Sequence, residues 1–312
     1  MAGPPRASTA KDGRAGSVKT RAAALSIASN AILIALKLAA GAITGSVAIL
    51  TEAMHSSIDL IASFVAYFSV READKPADAE HPYGHAKIEN LAAAIEAMLI
   101  LVGSGVIVYA AVRSLVNGPE VHSLGIGIGV IAFSMVANVV VSTKIARRAR
   151  DTDSPALEGD AAHLRTDAAT SAAVLLGLVL VQITGATWLD PVIALVVAAA
   201  IVYAGVRLLA RASRVLVDEA LPPEELDAVR DTIADFGPRG VCGFHKLRAR
   251  RAGSRRYVDM HVQFVGGTTL EDAHATAHEL QDAIKARLRG ADVLIHLEPE
   301  GSVHPGTEIR AQ

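Results

Sequence analysis

LTEAMHSSIDLIASFVAYFSV, residues 50–70, is an apolar stretch that is interrupted by ionisable side chains. Its length and composition fit a membrane-spanning helix. His55 and Asp59 are four residues apart and therefore share one helix face, while Glu52 lies three residues before His55 on a neighbouring part of that face. Because ionisable groups are costly at bilayer depth, these three residues are functional candidates.

The same spacing recurs in GDAAHLRTDAATSAAVLLGLVL, residues 159–180, where His163 and Asp167 stand at the start of another apolar run. A lone intramembrane His or Asp is equally compatible with a helix–helix hydrogen bond. Two matched pairs in different helices favour a metal site instead. Two imidazoles and two carboxylates form a tetrahedral ligand set that suits Zn²⁺.

Composition favours a membrane domain joined to a soluble domain. The 312 residues are 51% hydrophobic, and the mean hydropathy is +0.36. A net charge of −2 and an aromatic content of 4% do not favour a nucleic-acid partner. Because Cys242 is the only cysteine, an intrachain disulfide and a cysteine-rich zinc site are excluded.

Apolar segments predict a bundle of six transmembrane helices within residues 21–212, near 22–41, 47–70, 88–113, 124–147, 161–183 and 189–210. Residues 1–20 are rich in small and basic residues and predict a disordered cytosolic tail. Lys and Arg concentrate in that tail and after the second, fourth and sixth segments, which predicts a multi-pass protein with both termini cytosolic. The short polar loops fit a bacterial plasma (inner) membrane.

Past residue 212 the hydrophobic periodicity changes. Residues 213–300 alternate between amphipathic helical and strand patterns in the order αββαβ, which predicts a cytosolic two-layer α+β domain, followed by a tail at 301–312. His245, His261 and His296 fall on predicted strands, and Glu298 follows two residues later. His274 and His278 are four apart on a predicted helix. Several histidines at strand positions favour a metal site over isolated surface histidines.

The loop after the second segment crowds Asp78, Glu80, His81 and His85 together. Pro82 and Gly84 are expected to form a turn that brings the two histidines close. Asp and His at such spacing can bind zinc, and a solvated polar loop is an equal alternative.

Four motifs together resemble the cation diffusion facilitator family, which comprises metal-ion/proton antiporters of the zinc- and iron-efflux type. They are HSSIDLIAS at 55–63, HPYGHAKIEN at 81–90, DAAHLRTDAATSAAVL at 160–175 and VDEALP at 217–222. The resemblance covers roughly residues 20–300. It implies six transmembrane helices, a C-terminal cytosolic ferredoxin-like domain and a homodimer.

Glu52, three residues before His55, is a candidate relay or entry group. The resemblance also implies roles for individual residues. Lys87 would pair with Asp218 in a charge interlock near the dimer axis. Relatives often carry Asp where Glu298 stands and a polar residue where Leu297 stands. The implied metal ligands are His55, Asp59, His163 and Asp167 at the transport site, Asp78, His81 and His85 in the loop, and His245, His261, His274, His296 and Glu298 in the cytosolic domain.

The expected function is efflux of a divalent metal from the cytosol by a Zn²⁺/H⁺ antiporter embedded in membrane lipid. Zn²⁺ would be both the substrate and a regulatory ligand, because the His-Asp-His-Asp set is similar to that of zinc-preferring members. Fe²⁺, Cd²⁺, Co²⁺ or Mn²⁺ as the main substrate is the alternative. A four-ligand shell argues against a metalloenzyme, which keeps an open metal position. A membrane-anchored metal sensor is the alternative from another class.

Overall fold

The computed structural model describes residues 8–44, 47–117, 125–186 and 188–302, apart from the side chains of some helical residues such as 47–55 and 57–59. The chain divides into two compact units, residues 1–213 and 214–312. Within the described residues up to 216 there are six long helices: α1 (Ser8–Thr44), α2 (Val47–Ala73), α3 (Ile88–Asn117), α4 (Gly125–Thr152), α5 (Pro155–Thr184) and α6 (Leu189–Leu216).

Small residues allow the helices of the first unit to pack closely. Ala23 of α1, Val70 of α2 and Leu164 of α5 belong to one buried cluster, to which α3 and α4 also contribute. Helix α3 meets α6 at Gly205, where an added Cβ would lie 3.0 Å from Leu101 Cδ2. Such contacts bring backbones together without large side chains between them, as is usual for membrane helices.

The structure differs from the predicted disordered tail of residues 1–20, because α1 already begins at Ser8 and residues 1–7 lie outside the described part. Lys19 is 3% exposed. Its Nζ lies 2.7 Å from Glu89 Oε1 and 3.8 Å from Asp74 Oδ1. Composition alone indicated a solvated tail, because the partners that bury this lysine are distant in sequence.

Helix α5 begins at Pro155, earlier than the predicted residue 161. Ser154 is buried, and its Oγ accepts a hydrogen bond from the backbone N–H of Leu157 at 3.4 Å. A serine at the N-cap followed by proline in the first turn is a common helix start. The added turns place Asp160 inside the helix.

Among the described residues, three helical segments are long and apolar enough to cross a membrane: Ser17–Ala39, Ile88–Val116 and Pro191–Leu216. Helix α5 is less apolar, because His163, Arg165 and Asp167 interrupt its N-terminal half. The count of six membrane-spanning helices therefore stays a prediction.

The second unit has the predicted αββαβ order. Strand β2 is central and pairs antiparallel with β1 and parallel with β3. Its elements are α7 (Pro223–Ala234), β1 (Val241–Ala252), β2 (Arg255–Phe264), α8 (Leu270–Arg287) and β3 (Ala291–Pro299).

Local signals in the sequence explain how these elements begin and turn. Gly253 and Ser254 connect β1 to β2, as predicted, and Gly253 has a φ of 57°, which suits a two-residue hairpin turn. The Oγ1 of Thr269 caps α8 by accepting from the N–H of Asp272 at 3.1 Å. One face of the sheet packs against both helices, with Val229, Ile233, Val258, Met260, Leu280 and Ile284 in the core.

A buried arginine links several elements of this unit by hydrogen bonds. Arg256 is 6% exposed and donates to both carboxylate oxygens of Glu225, at 2.7 and 2.9 Å, and to the carbonyl of Arg289 at 2.9 Å. These hydrogen bonds join β2 to α7 and to the connection before β3. The hydrogen bonds from Arg256 outweigh burial and lower the pKa of Glu225.

Arg256→Ala is expected to destabilise this unit by about 3 kcal/mol, because Glu225 loses a bidentate partner in a shielded site. Hydrogen–deuterium exchange of β2 amides in the full-length protein measures the change. Because the folded pKa of Glu225 is depressed, its contribution is present above the unfolded pKa and is lost as pH falls through the folded value. The exposed Arg255→Ala is the control, and equal exchange in the two variants would contradict the prediction.

Candidate functional site

Helix α5 carries the first predicted metal-ligand pair on one face. His163 is 6% exposed, and its Nε2 lies 4.0 Å from Asp167 Oδ2. The i, i+4 spacing therefore brings an imidazole and a carboxylate together, as the sequence indicated. Both groups are ligands that divalent transition metals accept.

The second predicted pair, His55 and Asp59, lies in helix α2, as does Glu52, but these side chains are outside the described residues. Helices α2 and α5 contact each other. The meeting of all four side chains stays a prediction.

Sequence analysis missed a buried lysine beside this part of α2. Lys37 on α1 is 4% exposed, and its Nζ donates to Ser56 Oγ at 2.6 Å. Ser56 directly follows His55 in the chain. A lysine inside the apolar segment 22–41 was the available signal, since an intramembrane charge is a functional candidate by default.

The loop between α2 and α3 brings Asp78, His81 and His85 together. One ligand atom from each lies within 4.8 Å of the others. Asp78 Oδ1 lies 3.4 Å from His81 Nδ1, and Asp78 Oδ2 lies 3.4 Å from His85 Nε2. The centroids of the two imidazole rings are 4.4 Å apart. The predicted turn explains this, because Gly84 has a φ of 80° and its N–H donates to the carbonyl of His81.

The same loop holds the Asp78 carboxyl in its ionised form. The backbone N–H groups of His81 and Glu80 donate to Asp78 Oδ1 at 2.7 and 3.0 Å. These bonds, the one from His81 above all, lower the pKa of Asp78. An ionised carboxylate beside two imidazoles is a donor set that suits a divalent metal.

Gly84→Ala is expected to weaken Zn²⁺ binding at this loop about fivefold, because a side chain in the left-handed region costs about 1 kcal/mol. Zinc titration of the full-length protein measures the change, with Glu298→Ala and Asp167→Ala added because they are expected to weaken the cytosolic cluster and the transport site. Gly103→Ala in α3 is the control, since an added Cβ there meets nothing within 4 Å. An unchanged loop affinity in Gly84→Ala would show that the turn does not position these ligands.

A row of histidines crosses the sheet of the second unit. The register pairs His245 with His261 across β1 and β2, and His261 with His296 across β2 and β3. Neighbouring rings are 4.9 and 4.6 Å apart. A bulge follows His245, where Lys246 has a φ of 50° and the pairing shifts by one residue.

Glu298 links two of these histidines. Its Oε2 lies 2.6 Å from His245 Nε2, and its Oε1 lies 2.5 Å from His261 Nδ1. Burial opposes ionisation of this carboxyl, but the hydrogen bonds from His261 and His245 outweigh it and lower the pKa of Glu298. The three residues form a compact nitrogen and oxygen donor set that fits Zn²⁺.

The remaining cytosolic candidates lie outside this compact group. His296 is largely exposed, with its Nε2 3.8 Å from Glu298 Oε1. On α8, His274 Nε2 lies 3.1 Å from His278 Nε2, and the place of His274 in the cytosolic ligand set stays a prediction. Asp218 accepts from Arg250 at 3.0 Å, and its interlock with Lys87 stays a prediction.

Two family profiles match almost all of the chain. The profile described as the cation efflux transmembrane domain matches residues 23–217. The profile described as the cytoplasmic domain of the cation efflux protein matches residues 221–300.

Similar proteins span nearly the same length. The uncharacterized transporter sll1263 of Synechocystis sp. is 36% identical over 277 residues, 89% of each chain. The cation-efflux pump FieF of Salmonella schwarzengrund is 31% identical over 289 residues, 91% of this chain and 94% of that one. The metal-bound C-terminal domain of the CzcD transporter from Thermotoga maritima is 30% identical, with a TM-score of 0.24, covering 27% of this chain and 100% of that one. The chain therefore belongs to the cation diffusion facilitator family of cation efflux transporters.

Proposed function

We propose that this protein is a Zn²⁺/H⁺ antiporter that exports zinc from the cytosol. The observation that carries the proposal is the buried His163–Asp167 pair on α5, packed against the helix that bears His55 and Asp59 at the same spacing. Together these residues offer two nitrogens and two carboxylates, which complete a tetrahedral shell for Zn²⁺.

Zn²⁺ and protons would compete for the same lone pairs of the ligands, which would couple zinc export to proton uptake. Metal binding needs neutral imidazoles and ionised carboxylates, so loading Zn²⁺ releases protons. After a shift to outward access, proton uptake by the ligands would weaken the site and release the metal. Imidazole suits this exchange because histidine titrates near neutral pH. Glu52 is proposed as a relay or entry group on the same helix.

We assign a regulatory role to the cytosolic metal cluster. Zinc binding there would stabilise a homodimer by its differential affinity for the dimeric state. Alanine at His261 or His296 is then expected to change the metal dependence of transport rather than abolish it. The loop residues Asp78, His81 and His85 are proposed as a further zinc site.

The proposed topology has six membrane-spanning helices, both termini in the cytosol and the protein in the plasma (inner) membrane. Residues 21–212 would form the membrane domain and 213–300 the ferredoxin-like cytosolic domain. In the dimer, Lys87 would pair with Asp218. The distribution of Lys and Arg supports this orientation.

Metal-dependent proton flux in proteoliposomes tests the proposal, with Zn²⁺, Cd²⁺, Fe²⁺ and Mn²⁺ compared. Zn²⁺ is expected to move protons best, and His55→Asp to broaden the response toward Cd²⁺, because the ligand set loses an imidazole that suits Zn²⁺. Proton flux driven best by another divalent metal would support the same chemistry with a different substrate. If no metal moves protons, the antiport proposal falls and the membrane-anchored metal sensor replaces it.

A further inference from the structure

Helix α3 buries a carboxyl group that the metal ligands do not account for. Glu96 is 0% exposed, and neither of its carboxylate oxygens has a hydrogen-bond partner among the described residues. The backbone of α5 lies directly against this group, because a Cβ added at Gly159 would overlap Glu96 Oε2. Glycine at 159 therefore makes room for the Glu96 side chain.

A second buried carboxyl follows at the next residue of α5. Asp160 is 0% exposed, and its Oδ1 accepts a hydrogen bond from Ser26 Oγ at 2.8 Å, whereas Oδ2 has no partner among the described residues. Ser26 lies 2.9 Å from Ser63, which in turn accepts from Asn30 at 2.8 Å. A polar path from α1 and α2 thus reaches the Asp160 carboxyl inside the bundle.

Glu96 has one charged neighbour among the described residues. Of the described residues, Asp160 is the ionisable group that acts electrostatically on Glu96, and His163 acts on Asp160 in turn. The neighbouring residues of α6 in the same packing region, such as Ile201 and Leu208, are apolar. Two carboxylates in such a place cannot both stay charged without a cation.

We propose that Glu96 and Asp160 form a proton-binding site, separate from the metal ligands, that releases its proton when a divalent cation binds at His163 and Asp167. This inference rests on the proposed antiport. Gly159 lies four residues before His163, about 6 Å along the helix axis. The positive charge of an arriving metal acts over that distance in a low-dielectric interior and favours two ionised carboxylates. The O–H bond of the protonated carboxyl then breaks, the carboxylate keeps the electron pair, and the proton passes to solvent water.

A proton fits this pair better than a metal ion. The described residues bring three ligands together only in the loop and on the sheet, so Glu96 and Asp160 offer an incomplete shell to Zn²⁺. A proton needs two oxygens at most. The site would therefore add to the protons exchanged per metal without holding the metal itself.

The test counts protons released per Zn²⁺ bound to the full-length protein, by calorimetry in buffers of different ionisation enthalpy. Glu96→Gln is expected to keep zinc binding and to lower the count by up to about one proton per protomer near neutral pH. Glu158→Gln is the control, because Glu158 directly precedes Gly159 on α5 but is partly exposed and pairs with Arg211. Its proton count is expected to match wild type.

Infrared difference spectroscopy supplies a second readout that needs no variant. Adding Zn²⁺ to wild-type protein is expected to remove the C=O band of a protonated carboxyl, and Asp160→Asn is expected to diminish that band.

An unchanged proton count in Glu96→Gln, or an intact band in wild type, would overturn the proposal while leaving antiport in place. Loss of zinc binding in a folded Glu96→Gln protein would make Glu96 a metal ligand and would also overturn it. A wild type that moves zinc without protons would instead remove the antiport on which the inference rests.

Discussion

Replacing Asp167 with alanine is expected to lower Zn²⁺ uptake into proteoliposomes by about 100-fold or more, since even a supporting partner of a metal ligand is worth up to that factor. The carboxylate lies 4.0 Å from His163 in a shielded position. Replacing it there with a water molecule would be energetically costly. Three ligands would remain, with less negative charge to balance Zn²⁺. Asp59→Ala is expected to give the same loss from α2.

The control for this experiment lies one residue away. Thr166 donates its hydroxyl to the carbonyl of Ala162, and Thr166→Ala is expected to keep most of the uptake. A wild-type-like thermal unfolding transition and helical circular dichroism of the Asp167→Ala protein show that its helices have folded. Retained uptake in the folded variant would remove Asp167 from the transport site.

Replacing Glu298 with alanine is expected to weaken zinc binding at the cytosolic cluster by about 100-fold or more. This carboxylate reaches His245 through one oxygen and His261 through the other, so a single substitution removes a ligand and releases two imidazoles. At a zinc concentration 100 times the wild-type Kd of this cluster, the stabilisation that the cluster contributes should fall from about 2.7 to about 0.4 kcal/mol. Thermal unfolding of the full-length protein with and without zinc measures this difference.

Glu300→Ala is the control for this second prediction, because Glu300 lies two residues farther along and accepts from the backbone N–H of Gly266 instead. The pH dependence has a definite sign. Since the pKa of Glu298 is depressed in the folded protein, its contribution to stability is present above the unfolded pKa and is lost as pH falls through the folded value. Equal stabilisation by zinc in Glu298→Ala and wild type would show that the metal binds elsewhere.

Some of the candidate sites could be predicted because their geometry is local. His163 and Asp167 share a helix face because they are four residues apart. The turn at Gly84 closes the short loop that holds Asp78. The strand pattern around His245 was also readable from alternation. The place of Glu298 between two histidines was not, because the parallel register of β2 and β3 sets it across a long sequence separation.

Buried polar contacts were the main features that sequence analysis missed. Lys19 lies in a stretch whose composition indicates a solvated tail, yet Glu89 of α3 binds it. Lys37 and Glu96 lie in apolar segments, so the sequence shows that a charged residue is present there. It does not show which side chains surround that residue. The contact between His274 and His278 on α8, by contrast, follows from their i, i+4 spacing.

The sequence by itself determined the family, the αββαβ order of the second unit and the pairing of His with Asp along single helices, because spacing and periodicity act over a few residues. Only the tertiary structure decided which distant groups meet. It set Glu298 between His245 and His261 through strand register, and it buried Glu96 against Gly159 through helix packing. Those contacts depend on how whole elements pack, and burial then determines what each charge can do.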